Sequence, residues 1–137
     1  DDVHYQIEPN MTLWKGDCMQ FAFSSMDGST FREVQVSKRD DEVLVSGYDR
    51  DAYPMQVAVE RKGKNTVYEI AFPIAGLFGE DWDITKQEEI RFSALVNDND
   101  GPDIRSPWSG RKGWIEFGSG IGREKDRSIY AVLKLKK

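Results

Sequence analysis

With one cysteine and one histidine among its 137 residues, the chain carries few groups suited to covalent or proton-transfer chemistry. A lone Cys18 excludes an intrachain disulfide and leaves the redox compartment open, because a domain with a good core needs no bridge. His4 stands near the start with no partner evident in sequence, and it reads as a surface residue. There is no run of about 18 apolar residues and no signal-peptide pattern, so no membrane-spanning helix is expected. Clustered basic residues are missing as well. The net charge is −5 with acids and bases interspersed, the opposite of the basic face that nucleic acid or an anionic membrane requires. Neither G-x-S-x-G, H-E-x-x-H nor a P-loop occurs. The acid pairs Asp81/Asp83 and Asp98/Asp100 could do glycosidase-type work only if held about 5–10 Å apart across a cleft, which spacing does not establish. The expectation is a protein that is not an enzyme.

What the chain has instead is alternation and aromatic rings: seven Phe, five Tyr and four Trp. Met19, Phe21 and Phe23 alternate with Cys18, Gln20 and Ala22. The same period of two recurs at Val34/Val36, Met55/Val57/Val59, Tyr68/Ile70/Phe72, Ile90/Phe92/Ala94/Val96 and Ile129/Ala131/Leu133/Leu135. Each set predicts a strand with one side on a core and the other toward solvent. Turn clusters separate them: "SSMDGS", "SKRDD", "SGYDRD", "RKGKN", "NDNDGPD" and "GSGIG". Strands recurring every 10–15 residues or so, with no helical period, predict an all-β fold, an antiparallel β-sandwich of jelly-roll or immunoglobulin-like type. In "PIAGLFG", Pro73 could start a single helical turn that Gly76 and Gly79 would end. No repeat or linker appears, so residues 1–137 are expected to form one domain.

On the outward strand faces stand Gln20, Gln35, Arg91 and Ser93 where Lys and Glu are usual. Amides and a guanidinium near tryptophan rings can bind sugar hydroxyls bidentately while a ring stacks on the C–H face of a pyranose; ordinary solvated strand positions are the alternative. Trp14, Trp82 and Trp108 fall in polar loop contexts, and Trp114, which begins the alternating "WIEF", is expected in the core. At 96–101 the run "VNDNDG" leads into Asp103. Asp98, Asp100 and Asp103 are hard oxygen donors of the kind calcium takes, although Pro102 breaks EF-hand spacing; a polar turn in which Asn and Asp cap their own backbone is the other reading. The "DRD" at 49–51 is a weaker cation candidate.

Four segments in order then resemble the family 9 carbohydrate-binding modules and their DOMON-like relatives: "LWKGDCMQFAF", "VYEIAFPIAGL", "IRFSALVNDNDG" and "KDRSIYAVLKL". Together they span Leu13 to Leu135. The resemblance implies a β-sandwich that binds carbohydrate without catalysis, often appended to extracellular or periplasmic polysaccharide-degrading proteins and often holding structural calcium. Trp14 matches the family's sugar-stacking tryptophan, Gln20 falls where a hydroxyl-binding carboxylate stands, Gln35 lies near an arginine position, and Asn97–Asp98 match the Asn-Asp pair closing a long strand. The family's second stacking tryptophan is missing from "IGREKD", so Trp108 or Trp82 would have to replace it. Strands that precede the tryptophan segment in the family are also lacking, which marks the chain as an N-terminally truncated version. A second copy or a neighbouring domain is expected to complete the sandwich. The expected site is therefore Trp14, Gln20, Gln35, Arg91 and Trp108 for carbohydrate, with calcium on Asp98, Asp100 and Asp103. A sandwich that serves as a structural or interdomain module without binding sugar is the alternative function. A haem-binding DOMON-like role, with His4 and Met11, Met19 or Met26 as axial ligands, is a third.

Overall fold

The structure is a computed structural model that describes residues 3–6, 10–101, 111–122 and 125–136. A 3-10 segment (Asn10–Lys15) leads into β1 (Cys18–Ser25), β2 (Phe31–Arg39), β3 (Glu42–Ser46), β4 (Gln56–Lys62) and β5 (Asn65–Ala71). A short helix α1 (Ile74–Phe78) follows, then β6 (Glu89–Asn99), β7 (Arg111–Phe117), a second 3-10 turn (Arg127–Ile129) and β8 (Ala131–Lys134). The chain is all-β, and every strand pair is antiparallel. The larger sheet has the order β3-β2-β1-β6-β7, with β8 pairing the other end of the β6 edge that β7 occupies; β4 and β5 form a separate hairpin.

Turn chemistry sets the hairpins. Gly63, at φ 60°, opens the two-residue turn that pairs Lys62 with Asn65, a left-handed position that costs glycine no Cβ clash. Gly76 has a different role from the expected helix stop. It lies inside α1, where a Cβ would come within 2.0 Å of Tyr48 Oη, so its bareness lets the helix press on Tyr48. Pro73 caps the helix from outside, and Gly79 ends it.

The two faces of the large sheet are covered differently. One carries Phe21, Phe23, Val34, Val36 and Phe92, and the β4–β5 hairpin lies on part of it through Val59, Tyr68 and Ile70. Phe72 holds this layer by edge-on contacts to Phe21, Phe23 and Tyr48, with centroids 5.9, 5.2 and 5.7 Å away, the edge-to-face geometry that ring quadrupoles favour. We call it the hairpin face. The other, the loop face, is covered by chain segments with no sheet of their own. Leu13 from the first 3-10 segment packs on Cys18 and Leu44. Ile121 and Tyr130, from the connection between β7 and β8, pack on Ala22 and Leu95.

This double covering corrects the expected alternation. Cys18, Gln20, Ala22 and Ser24 are all buried, as are Ser37, Ser93, Asn97 and Asn99. The loop side of β1 is fully covered by chain segments, while Met19 and Phe21 on its other side are half-buried under the hairpin.

Candidate functional site

The polar run that ends β6 lies within the strand and fastens the top of the sheet. Asn97 Nδ2 donates to Cys18 Sγ at 3.3 Å, and Asn99 Nδ2 donates to the Lys15 carbonyl at 2.6 Å. Asp17 accepts the backbone N–H groups of Asn99, at 2.9 Å, and of Tyr5. Burial pushes its carboxyl above the usual aspartate range, and those two N–H donors pull the other way. Gln6 donates from its buried amide to the Leu13 and Asp17 carbonyls and to Ser37 Oγ. His4 is not a free surface group: its Nε2 lies 2.8 Å from the Lys38 carbonyl and its Nδ1 3.8 Å from Asp17.

Of the expected cation ligands, Asp98 and Asp100 are half-buried and Asp103 lies outside the described residues. Among the described residues no three His, Cys, Asp or Glu side chains converge as a metal-ligand set.

The sugar-site residues divide into two places and one unplaced member. Strand register sets Gln20 directly beside Gln35, and Gln20 opposite Leu95, which in turn faces Glu116 on β7. One row of the loop face therefore reads Ser46, Gln35, Gln20, Leu95, Glu116. Trp14 overhangs this row: its backbone N–H donates to Gln35 Oε1 at 3.1 Å, and its ring packs against the Leu13–Cys18–Leu44 cluster. With its oxygen accepting from Trp14, Gln35 still has both N–H donors and one lone pair to offer a ligand. The fit has limits, for Gln20 is only 6% exposed and forms a floor, not the open polar surface expected of it. Arg91 stands apart. It pairs with Ser24, four residues from Gln20 along β1, roughly 13 Å away at strand rise, and its Nη1 donates to the Ser128 carbonyl at 2.8 Å. Trp108 lies outside the described residues.

Trp114 and Glu116, neither of them among the expected site residues, lie on the same face. Trp114, expected in the core, is 37% exposed and faces the loop side beside Asn97. Glu116 accepts the N–H groups of Ile121 and Gly122 at 2.7 and 3.0 Å, anchoring the connection that covers the lower part of the face. A bidentate Lys125–Glu33 contact at 2.9 and 3.0 Å closes that connection over β2. Trp14 and Trp114 thus lie on the same sheet face, Trp14 beside Gln35 and Trp114 in the adjacent row that passes through Asn97 and Cys18. Gln35, which Trp14 contacts, is on β2, and β2 and β7 are three strand spacings apart, roughly 14 Å. The signal available in sequence was the parity of Trp114 with Glu116, but the face to which that parity belonged was not readable.

No known family, curated protein or solved structure matches the chain.

Trp82 forms a different feature. It stacks on Phe78 at 4.2 Å and 27° beside a cleft of about 680 Å³ between the β1–β2 turn and residues 81–89. Asp27 at its rim accepts from Ser25 and Ser29, which hold its carboxyl down at about 2. Those contacts shape the turn, and Trp82 is not brought near Gln20 or Gln35. Among the described residues no helix is long and apolar enough to cross a membrane.

Proposed function

We propose that the chain is a non-catalytic carbohydrate-binding module of β-sandwich type that meets its ligand on the loop face between Trp14 and Trp114. The observation that carries this reading is the side-by-side pairing of Gln20 and Gln35 beneath Trp14. Planar amides on neighbouring strands can each address a sugar hydroxyl, and the half-exposed Trp14 ring beside them can stack on a pyranose C–H face. Trp114 takes the part of the second ring that the resemblance to family 9 modules calls for. Gln20, nearly closed to solvent, would hold the floor while Gln35 donates to the ligand. By the same resemblance the chain is a part of a secreted protein that acts on polysaccharides.

A second reading has its own support. Trp14 packs against buried Leu13 and Cys18, so its ring could serve solely to close the top of the sheet in a structural or interdomain module. A glycan array of plant and microbial polysaccharides separates the two. Binding to a defined subset, weakened in Trp14→Ala and Trp114→Ala with the fold retained, supports the sugar site. An empty array, with Trp14→Ala altering stability alone, leaves the structural module.

A further inference from the structure

The hairpin face is covered only in part. β4 and β5 form a two-stranded sheet, so the β5 edge away from β4 has no strand partner among the described residues. Along that edge runs a groove made of two adjoining pockets. Its upper part, about 440 Å³, lies over Met19, Val96 and Ile115. Its lower part, about 290 Å³, lies over Phe23 and Phe92. Met19 and Tyr68 line both parts. Beyond the groove the sheet floor is open, with Ile115 80%, Phe117 58% and Val96 41% exposed. Their parity is that of Phe92, so they belong to the apolar side of the sheet.

Natural sheet edges are blunted with Lys, Pro, bulges or a covering segment. β5 reads "NTVYEIA", without Lys or Pro, and its pairing with β4 runs unbroken from Gln56↔Ala71 to Lys62↔Asn65. Seven residues span roughly 23 Å at strand rise, and a two-stranded hairpin gains stability from a third strand. A free edge of that length takes one added strand, which would lie over the floor at Met19 and Phe92. The groove also has polarity. At its Thr66 end stand Asp17 and Asp98, and Asp98 Oδ1 is buried with no hydrogen-bond partner. A buried carboxylate oxygen left without a donor favours a cationic group there.

We propose that the free edge of β5 and its groove form a strand-acceptor site. Its occupant is an extended segment of polypeptide from outside these 137 residues, with apolar side chains at alternate positions and a basic residue at the Asp98 end. Backbone pairing with β5 supplies the affinity, and the pockets over Met19 and Phe92 select the alternate side chains. The site lies on the sheet face opposite Trp14 and Gln35, with Trp114 at the rim of its upper part, so Trp14→Ala tests sugar binding without touching it.

The test is a titration of the isotopically labelled 137-residue chain, in buffer containing EDTA, with a capped peptide Thr-Val-Thr-Val-Thr-Val-Thr-Lys, followed by amide chemical shifts. Expected is saturable binding with shifts confined to β5, β6 and β7, and affinity about three- to tenfold lower when Gln replaces the peptide lysine. The Asp98→Asn variant should bind both peptides alike. Ile115→Asp should lose binding while its Tm stays near that of the parent. No saturable shift at millimolar peptide with the chain folded overturns the proposal. So does a concentration-dependent dimer that Ile115→Asp dissociates, because a second copy would then cover the face. Equal affinity for the two peptides in the parent chain overturns the orientation assigned through Asp98.

Discussion

The two faces of the five-strand-wide sheet solve the same problem in opposite ways. The loop face buries small and polar side chains, among them Ser24, Ser37, Ser93, Asn97 and Gln20, under local segments. Those segments are fastened one hydrogen bond at a time, through Gln6, Asp17, Asn99 and Glu116. The hairpin face buries large apolar rings under a second layer that stops short, leaving Ile115 and Phe117 in water. Polar covering is specific because an unmade hydrogen bond is costly in a buried place. Apolar covering is indifferent to its partner's identity and can be supplied from elsewhere. The closed face is therefore where a fixed ligand geometry can be built, and the open face is where another chain can dock.

The largest test of this contrast sets Leu13 against Ile115. Leu13 is fully buried on the loop face, so Leu13→Ala should lower unfolding free energy by about 3 kcal/mol in urea denaturation. Ile115→Asp should change it by no more than about 0.5 kcal/mol. A large loss at Ile115 would mean that its strip is covered in solution. Next in size is Asp17→Asn. The amide offers one acceptor where the carboxylate offers two, so either the Tyr5 or the Asn99 N–H loses its partner, at about 2 kcal/mol. Hydrogen exchange should then rise at Asn99 and Tyr5 first; uniform acceleration over the sheet would argue that Asp17 does not fasten the top.

The smallest effect concerns Asp27. Its folded carboxyl titrates at about 2, below the ordinary 3.8, because Ser25 and Ser29 donate to it. A lowered folded value means that the contribution is present above about 3.8 and disappears as pH falls through about 2. Asp27→Ala should thus lower Tm slightly at pH 6 and leave it unchanged at pH 2. An equal loss at both would place the effect in turn geometry, with the charge uninvolved.

Much of the fold was legible because strand alternation follows directly from the two-residue period of the pleat. The runs at Val34/Val36, Tyr68/Ile70 and Ile90/Phe92 all lie in strands. What alternation could not give was the fate of the second side. Gln20 and Ser93 read as solvent-facing, and both are buried because the 3-10 segment and the β7–β8 connection fold back over them. No local pattern announces such a covering. Trp114 failed in the other direction: an apolar ring opening an alternating run reads as core, yet β7 is an edge strand with little above it. Arg91 shares the parity of Gln20 but not its neighbourhood, since parity fixes a face and says nothing of distance along it. His4 found its partners, Lys38 and Asp17, across sequence gaps that no spacing rule reaches.

The central claim is that the loop face between Trp14 and Trp114 is a sugar site. Isothermal titration calorimetry of the chain against xylan- and cellulose-derived oligosaccharides tests it most directly, with Trp14→Ala, Trp114→Ala and Gln35→Ala measured beside the parent. The account predicts saturable binding to at least one series, weakened about tenfold or more by either tryptophan substitution and less by Gln35→Ala. No heat with any sugar, or binding that survives the loss of both tryptophans, would contradict it.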